Sequence, residues 1–293
     1  MEKTLEEYGA YLKTQGMSEN TRLSYIRDLR AFCAFAEANG IEDIFSATQK
    51  TLQDYADSLK EAGRANSTAA RQIAALRKFY SYAFQTGHCS LNPAINIKLP
   101  HIEKKLPEAI TPREVVKLLN QPKCTDLKGY RDKAMLELVY ATGIKVSELI
   151  NLTVHDVDIK REMLSCSSSG QRRFIPIGKA AAEALDNYIK KARALMVSDG
   201  HMKTLFVNCS GTPLTRQGFW KILRRYADMA GIKADINAQT IRNSFAVHLL
   251  QNGADINAVS EMLGHMDVVT TRVYNQVLKN NIKKIYKKAH PRA

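Results

Sequence analysis

Apolar residues recur every three or four positions through the first hundred residues, the spacing of a helix with one buried face. Thr4 and Glu7 make a capping-box pattern ahead of LEEYGAYLK, and Gly16 stops that helix. A second helix follows Ser18 and runs to about Asn39, with Leu23, Ile26, Phe32 and Phe35 among its apolar residues. Ser46 and Gln49 open a third, whose apolar positions include Leu52, Tyr55 and Leu59. Asn66 caps a fourth, with Ile73, Leu76, Tyr80 and Phe84 on one face. The connections are short, so residues 1–92 predict an all-α domain of four helices.

The pattern then breaks. Pro93, Pro100 and Pro107 forbid a helix, the stretch between them is basic, and 93–109 is expected to be a linker. Thr111, Pro112 and Glu114 supply an N-cap, an N1 proline and a capping-box acid, opening a second domain over 110–293. Helical spacing returns at about 179–197, 215–230, 238–252, 255–263 and 268–277, and near 280–288. MLSCSSSGQRRFIPI carries apolar and β-branched residues on both sides of SSSG and predicts a β-hairpin; TLFVN at 204–208 is expected to add a short strand. The fold class is therefore mainly α, with a mixed, mostly helical second domain holding a small hairpin or sheet.

At 293 residues a division into two domains is natural. No apolar run approaches the roughly 18 residues of a membrane span, and MEKTLEEYGAYLK lacks a signal-peptide core, so a cytoplasmic location is expected. The five cysteines (Cys33, Cys89, Cys124, Cys166, Cys209) form no CxxC pair, which points to free thiols rather than zinc or disulfides. The net charge of +14 is uneven: 14 Lys+Arg stand against 12 Asp+Glu through Lys105, and 29 against 17 after it. A soluble chain this basic suits a polyanionic partner. Charge alone does not separate DNA from RNA or from an acidic protein.

RDKAMLELVYATGIKVSELINL (131–152) and INAQTIRNSFAVHLLQNGADINAVSEMLGHMDVVTTRVYNQV (236–277) resemble the signature segments of tyrosine recombinases of the phage integrase family, in its XerC/XerD-like branch. In that family an HxxR-type motif lies on one helix, the next ends in LGH, and a tyrosine follows about nine residues beyond the His. Here these are Leu263, Gly264, His265 and Tyr274. The resemblance implies an N-terminal core-binding (SAM-like) domain, a C-terminal catalytic domain, and site-specific DNA recombination or integration. A tyrosine hydroxyl attacks a phosphodiester, a 3′-phosphotyrosyl link forms, and a 5′-hydroxyl leaves. Bond energy is conserved, so neither metal nor other cofactor is implied. The family's partner is double-stranded DNA, bound by four protomers that exchange C-terminal helices. IKKIYKKAH, with Ile282, Ile285 and Tyr286, resembles the exchanged segment. Self-assembly and partnership with a competent relative stay open.

Carried over residue by residue, Tyr274 is the nucleophile, Arg242 the second clamp arginine and His265 a donor to the phosphate. Two of them have a plainer alternative: a packed aromatic for Tyr274, a helix-end histidine for His265. Three positions depart from the pattern. Lys145 replaces an arginine and loses the two-pronged grip. Gln239 replaces a histidine and cannot shuttle a proton. Aligning RFIPI sets Ser168 where the family's general-acid lysine sits. Losing one fixed donor costs roughly 10²–10³ in rate and losing a general acid roughly 10²–10⁴. The degenerate site predicts DNA binding with cleavage weak or lost in isolation. The competing expectation is a catalytically silent paralogue, acting as an accessory or regulatory DNA-binding subunit.

Expected phosphate contacts in the first domain are Thr21, Arg22, Arg71, Arg77 and Lys78; in the second they are Arg172, Arg173, Thr215, Arg216, Lys221 and Arg224. A solvated charged face is the alternative for each. Arg216 and Arg224 flank Trp220 on a helix fit for a major groove, with Trp220 itself read as core.

Overall fold

The computed structural model describes residues 2–100, 108–168, 170–197 and 202–264, Ser168 by its backbone. The chain divides into two compact units, Met1–Lys104 and Lys105–Ala293.

The first unit holds helices α1 (Glu2–Thr14), α2 (Glu19–Ala38), α3 (Gln49–Glu61) and α4 (Asn66–Gln85). α1 begins at Glu2, upstream of the expected Thr4 cap, with an acidic residue in its first turn where the helix dipole favours negative charge. Ser18 caps α2, its hydroxyl accepting the Thr21 N–H at 3.3 Å. α3 is capped by Thr48 rather than Ser46: the Thr48 and Thr51 hydroxyls accept each other's backbone N–H at 3.3 and 3.2 Å. Ser46 instead ends a 3₁₀ turn, Ile44–Ser46. Ala65 occupies the cap position of α4, so Asn66 is its first helical residue.

Tyr8, Phe32, Phe79 and Tyr80 are fully buried at the centre of this unit, and the Tyr80 hydroxyl donates to Ile44 O at 2.7 Å. Burying each such ring stabilises by roughly 1.5–3 kcal/mol. Leu23 and Phe84, expected on buried faces, are exposed. The buried stripe of α2 runs through Leu29, Phe32, Cys33 and Ala36, and that of α4 through Ile73, Leu76, Tyr80 and Ala83, leaving those two at the margins.

The second unit opens with α5 (Pro112–Leu119). Its capping box is as expected: Thr111 Oγ1 accepts the Glu114 N–H, and Glu114 Oε2 accepts the Thr111 N–H at 2.8 Å. α6 (Leu127–Thr142) and α7 (Val146–Asn151) follow, then an antiparallel sheet of β1 (Val157–Asp158), β2 (Met163–Ser168) and β3 (Gln171–Pro176) in the order β1-β2-β3. α8 (Gly178–Tyr188) passes through a π turn, Ile189–Arg193, into α9 (Ala194–Met196). α10 (Arg216–Met229), α11 (Ala238–Gln251) and α12 (Ile256–Leu263) complete the described part. The helices expected near 268–277 and 280–288 and the linker residues 101–107 lie outside the described residues.

Two expectations are corrected. TLFVN makes isolated bridges, Thr153 with Thr204 and Val207 with Pro213, and no strand. Leu205, Phe206 and Val207 are all fully buried, so the alternation of a strand is absent. The Tyr188 hydroxyl and the Arg193 guanidinium bond the Thr204 and Leu205 carbonyls instead of a neighbouring strand. Trp220 is not core: it is 50% exposed, because Phe219, Leu223, Tyr226 and Ala227 fill the inner face of α10.

Among the described residues no helix is long and apolar enough to cross a membrane.

Candidate functional site

α6 ends at Gly143, in the left-handed region at φ 59°. A Cβ there would lie 2.4 Å from the Phe245 ring and 3.0 Å from Leu263, so only glycine fits both the dihedral and the space. The chain turns at once into α7. Lys145 is the N-cap residue, its side chain exposed, and its N–H donates to Glu148 at 2.8 Å.

Glu148 is buried and faces the hairpin. Its two oxygens accept from both terminal nitrogens of Arg173 on β3, at 3.0 and 2.9 Å. Burial would raise the Glu148 carboxyl. The Arg173 hydrogen bonds, the Lys145 N–H and the charges of both residues outweigh it, holding the acid below its ordinary range. Cys166, paired across the hairpin with Arg173, has its thiol pushed up to about 11 by burial and then by Glu148. Arg173 Nε donates to Met262 O at 2.8 Å, and its guanidinium lies over Gly264, where a Cβ would come within 2.7 Å. One buried guanidinium therefore ties β3, the start of α7 and the end of α12 together.

A second guanidinium does the same from α11. Arg242, 3% exposed, donates through Nη1 to Gly143 O at 2.5 Å and through Nη2 to Leu263 O at 2.6 Å. It is pinned between the residue two before Lys145 and the residue two before His265. Asn237 caps α11, and Gln239, exposed in its first turn, donates to Asn243 Oδ1 at 2.9 Å. Ser244 Oγ accepts the Ile110 N–H at 3.0 Å. His248 shares a hydrogen bond with Tyr140 at 3.1 Å; burial holds it below its ordinary value against a raising hydrogen bond with the Ile110 backbone.

The sequence-predicted residues divide accordingly. Lys145, Gln239 and Arg242 fall around the α6–α7 turn and the N-terminal half of α11. Ser168 pairs with Gln171 at the hairpin end, beside Gly170 at φ 82°. His265 and Tyr274 lie outside the described residues. Arg173 is buried in its ion pair rather than offered to solvent, while Arg172 is exposed, with Nε on Ser165 Oγ and its guanidinium 5.8 Å from the Phe174 ring centre. Thr215 caps α10 through the Gly218 N–H; Arg216 and Lys221 are exposed. Arg224 is held by Asp235 at 2.7 Å and Asp228 at 3.5 Å.

In the first unit Arg71 pairs with the buried Asp28. Thr21 shares a hydrogen bond with Ser18 at 2.8 Å, and Arg22 lies with Glu2, Glu6, Glu19 and Arg30 around a cavity of about 330 Å³. Arg77 and Lys78 line another of about 510 Å³ with Tyr25, Ser81, Asn92 and Ile95.

Sequence inspection missed Glu148, Asn243 and His248, and also Asp132, which is fully buried and accepts from Arg131, Arg225 and the Tyr226 hydroxyl. Glu148 lies within the 131–152 segment; its partner is 25 residues away on another element, and nothing local announces it. No group of three or more potential metal ligands occurs among the described residues.

Residues 108–281 match the phage integrase family, and residues 5–87 match the N-terminal SAM-like domain of phage integrases. Tyrosine recombinase XerD of Staphylococcus haemolyticus is 39% identical over 295 residues, covering all of both chains. XerD of Halalkalibacterium halodurans is 44% identical over 203 residues, 69% of this chain and 68% of that one. Among solved structures, XerH site-specific recombinase bound to palindromic difH substrate superposes with a TM-score of 0.75 at 21% identity, over 98% of this chain and 83% of that one. The Tn1549 transposon integrase in complex with circular intermediate DNA gives 0.73 at 20%, over 92% and 94%. With both family patterns met in order and a relative matched from end to end, the chain belongs to the phage integrase family of tyrosine recombinases.

Proposed function

We propose that this chain binds double-stranded DNA and belongs to a site-specific recombination or integration system, with strand cleavage weak or lost in the isolated protein. One observation carries the proposal. Arg242 is fixed by the backbone carbonyls of Gly143 and Leu263, each two residues before a position of the family motif, which supports reading this corner as the phosphate site, and the sequence there carries Lys145, Gln239 and Ser168 in place of the family's Arg, His and Lys.

In this scheme the Tyr274 hydroxyl attacks the phosphorus, a phosphotyrosyl bond forms, and the 5′-oxygen leaves and takes up a proton. Arg242, Lys145 and His265 oppose the charge that grows on the non-bridging oxygens. Lys145 does so as a point charge, without an arginine's fork. Gln239 adds a hydrogen bond but no proton transfer, and Ser168 is too weak an acid to protonate the leaving oxygen. The phosphoryl exchange keeps its bond energy and needs no cofactor or metal. Assembly as a homo- or hetero-tetramer, with exchange of the segment around Ile282 and Tyr286, belongs to the same proposal, as does a cytoplasmic location. The silent-paralogue reading is favoured by the same three residues, Lys145, Ser168 and Gln239.

The test is covalent trapping on a nicked duplex carrying the site recovered by genome-wide footprinting. The native chain should bind the site and give no adduct within minutes. The triple variant Lys145→Arg, Ser168→Lys, Gln239→His should give an adduct that Tyr274→Phe abolishes, with a gain of at least about 10² in rate. A prompt Tyr274-dependent adduct from the native chain would refute the weak-cleavage proposal. Undiminished DNA binding with no adduct from the triple variant would put the defect in assembly or the hairpin rather than in these three side chains, and binding by the native chain that survives Tyr274→Phe without any adduct favours the silent paralogue.

A further inference from the structure

We propose that Asn243 is a positioning residue that sets the orientation of the Gln239 amide, and that it does so from the backbone of the segment entering the second unit. This rests on the reading of position 239 as a phosphate contact. Residues 239 and 243 stand one turn apart on α11, so their side chains share a face. Asn243 is only 8% exposed, so its amide must find partners within the protein.

Its Nδ2 lies 3.1 Å from the Glu108 carbonyl. A carbonyl accepts and cannot donate, so the nitrogen end of the Asn243 amide has to point there. The oxygen end then faces Gln239 and accepts from Nε2 at 2.9 Å. That in turn fixes Gln239: the nitrogen end points to Asn243 and the oxygen end points away. One Nε2 hydrogen goes to Asn243, and the other is the donor Gln239 keeps for a phosphate. The chain of amides starts at Glu108, two residues before Ile110, whose N–H is anchored on Ser244 of the same helix at 3.0 Å. The entering segment and the orientation of residue 239 are thus one hydrogen-bonded unit.

The experiment uses the full chain with ¹⁵N-labelled glutamine and asparagine side-chain amides, the Gln239 pair being assigned by its loss in Gln239→Ala. The Gln239 amide should exchange one proton with water roughly tenfold more slowly than exposed glutamines do. Asn243→Leu, of similar volume, should remove that protection. A Gln239 amide that exchanges like an exposed one in the native chain overturns the proposal, and so does protection that survives Asn243→Leu.

Gln239→Glu covers the case in which the leucine variant fails to fold, because residue 239 is exposed. It sets a carboxylate against Asn243 Oδ1, and the Asn243 amide should shift strongly; an unchanged Asn243 amide also overturns the proposal. A short duplex added at low salt tests the functional reading separately. Movement of the Gln239 amide on addition supports it. A Gln239 amide coupled to Asn243 but unmoved by DNA, while other resonances shift, removes the phosphate role of position 239.

Discussion

A buried carboxylate held by a guanidinium contributes little net stability until one partner is removed; then the survivor is a charge without water or counter-ion, at a cost of about 3–5 kcal/mol. Glu148 and Arg173 are such a pair, with side chains 5% and 10% exposed. Glu148→Gln should therefore lower the urea midpoint at neutral pH by the equivalent of about 3 kcal/mol. The sign of the pH dependence follows from the depressed carboxyl. As pH falls, the unfolded chain takes up the proton first, near the ordinary glutamate value of about 4.3. The native contribution is whole above that range and is lost as pH falls through it toward the lowered native value. The gap between native and Glu148→Gln midpoints should accordingly narrow from about pH 5 downward. A gap that stays constant from pH 7 to pH 3 would show that the pair is not the source of the effect.

At the scale of elements, the turn between α6 and α7 matters more than either helix. Gly143→Ala imposes left-handed strain of about 1–2 kcal/mol and drives a methyl into the Phe245 ring, adding about 1–3 kcal/mol. Gly170 is the internal control: φ is 82°, but a Cβ there meets nothing within 4 Å. Thermal unfolding should show Gly143→Ala losing about 3 kcal/mol, against about 1 kcal/mol for Gly170→Ala. Phe245→Leu added to Gly143→Ala should recover part of the loss, because only the steric share depends on that ring. Equal losses at the two glycines would place the whole cost in the dihedral angle.

The same turn shows what a sequence discloses. Thr111, Pro112 and Glu114 announce a helix start, because that signal is completed within one turn of chain, whereas the crowding that makes Gly143 obligatory comes from Phe245 and Leu263, far along the chain. Trp220 and TLFVN were misread because their environment comes from elsewhere. α10 has enough apolar residues at 219, 223, 226 and 227 to cover its inner face without the tryptophan. The Thr204 and Leu205 carbonyls are bonded by the side chains of Tyr188 and Arg193 rather than by a strand. The motif spacing singled out Arg242, Lys145 and Gln239 as candidates. It did not disclose that Arg173 is used inside the protein, since its partners Glu148 and Met262 are 25 and 89 residues away.

For the molecule as a whole, the excess charge is a property of the second unit, +13 from Lys105 onward against +1 before it. If that excess meets DNA phosphates, each contact contributes about 0.9 to the slope of log K against log salt. Not every cation counts equally. Arg216 and Lys221 on α10 are exposed, whereas Arg224 is already matched by Asp235 and Asp228. A cation that keeps its carboxylates releases few counterions on binding. Arg216→Ala and Lys221→Ala should each flatten the salt dependence by about one unit of slope. Arg224→Ala should flatten it less, and Trp220→Ala, which removes exposed apolar surface but no charge, should weaken binding without altering the slope. Fluorescence anisotropy on one duplex from 50 to 200 mM salt, conditions over which such contacts are resolved, distinguishes these outcomes. An Arg224→Ala slope as flat as that of Arg216→Ala would mean that DNA strips Asp228 and Asp235 from the guanidinium, and α10 would then have to be counted as rearranging when it binds.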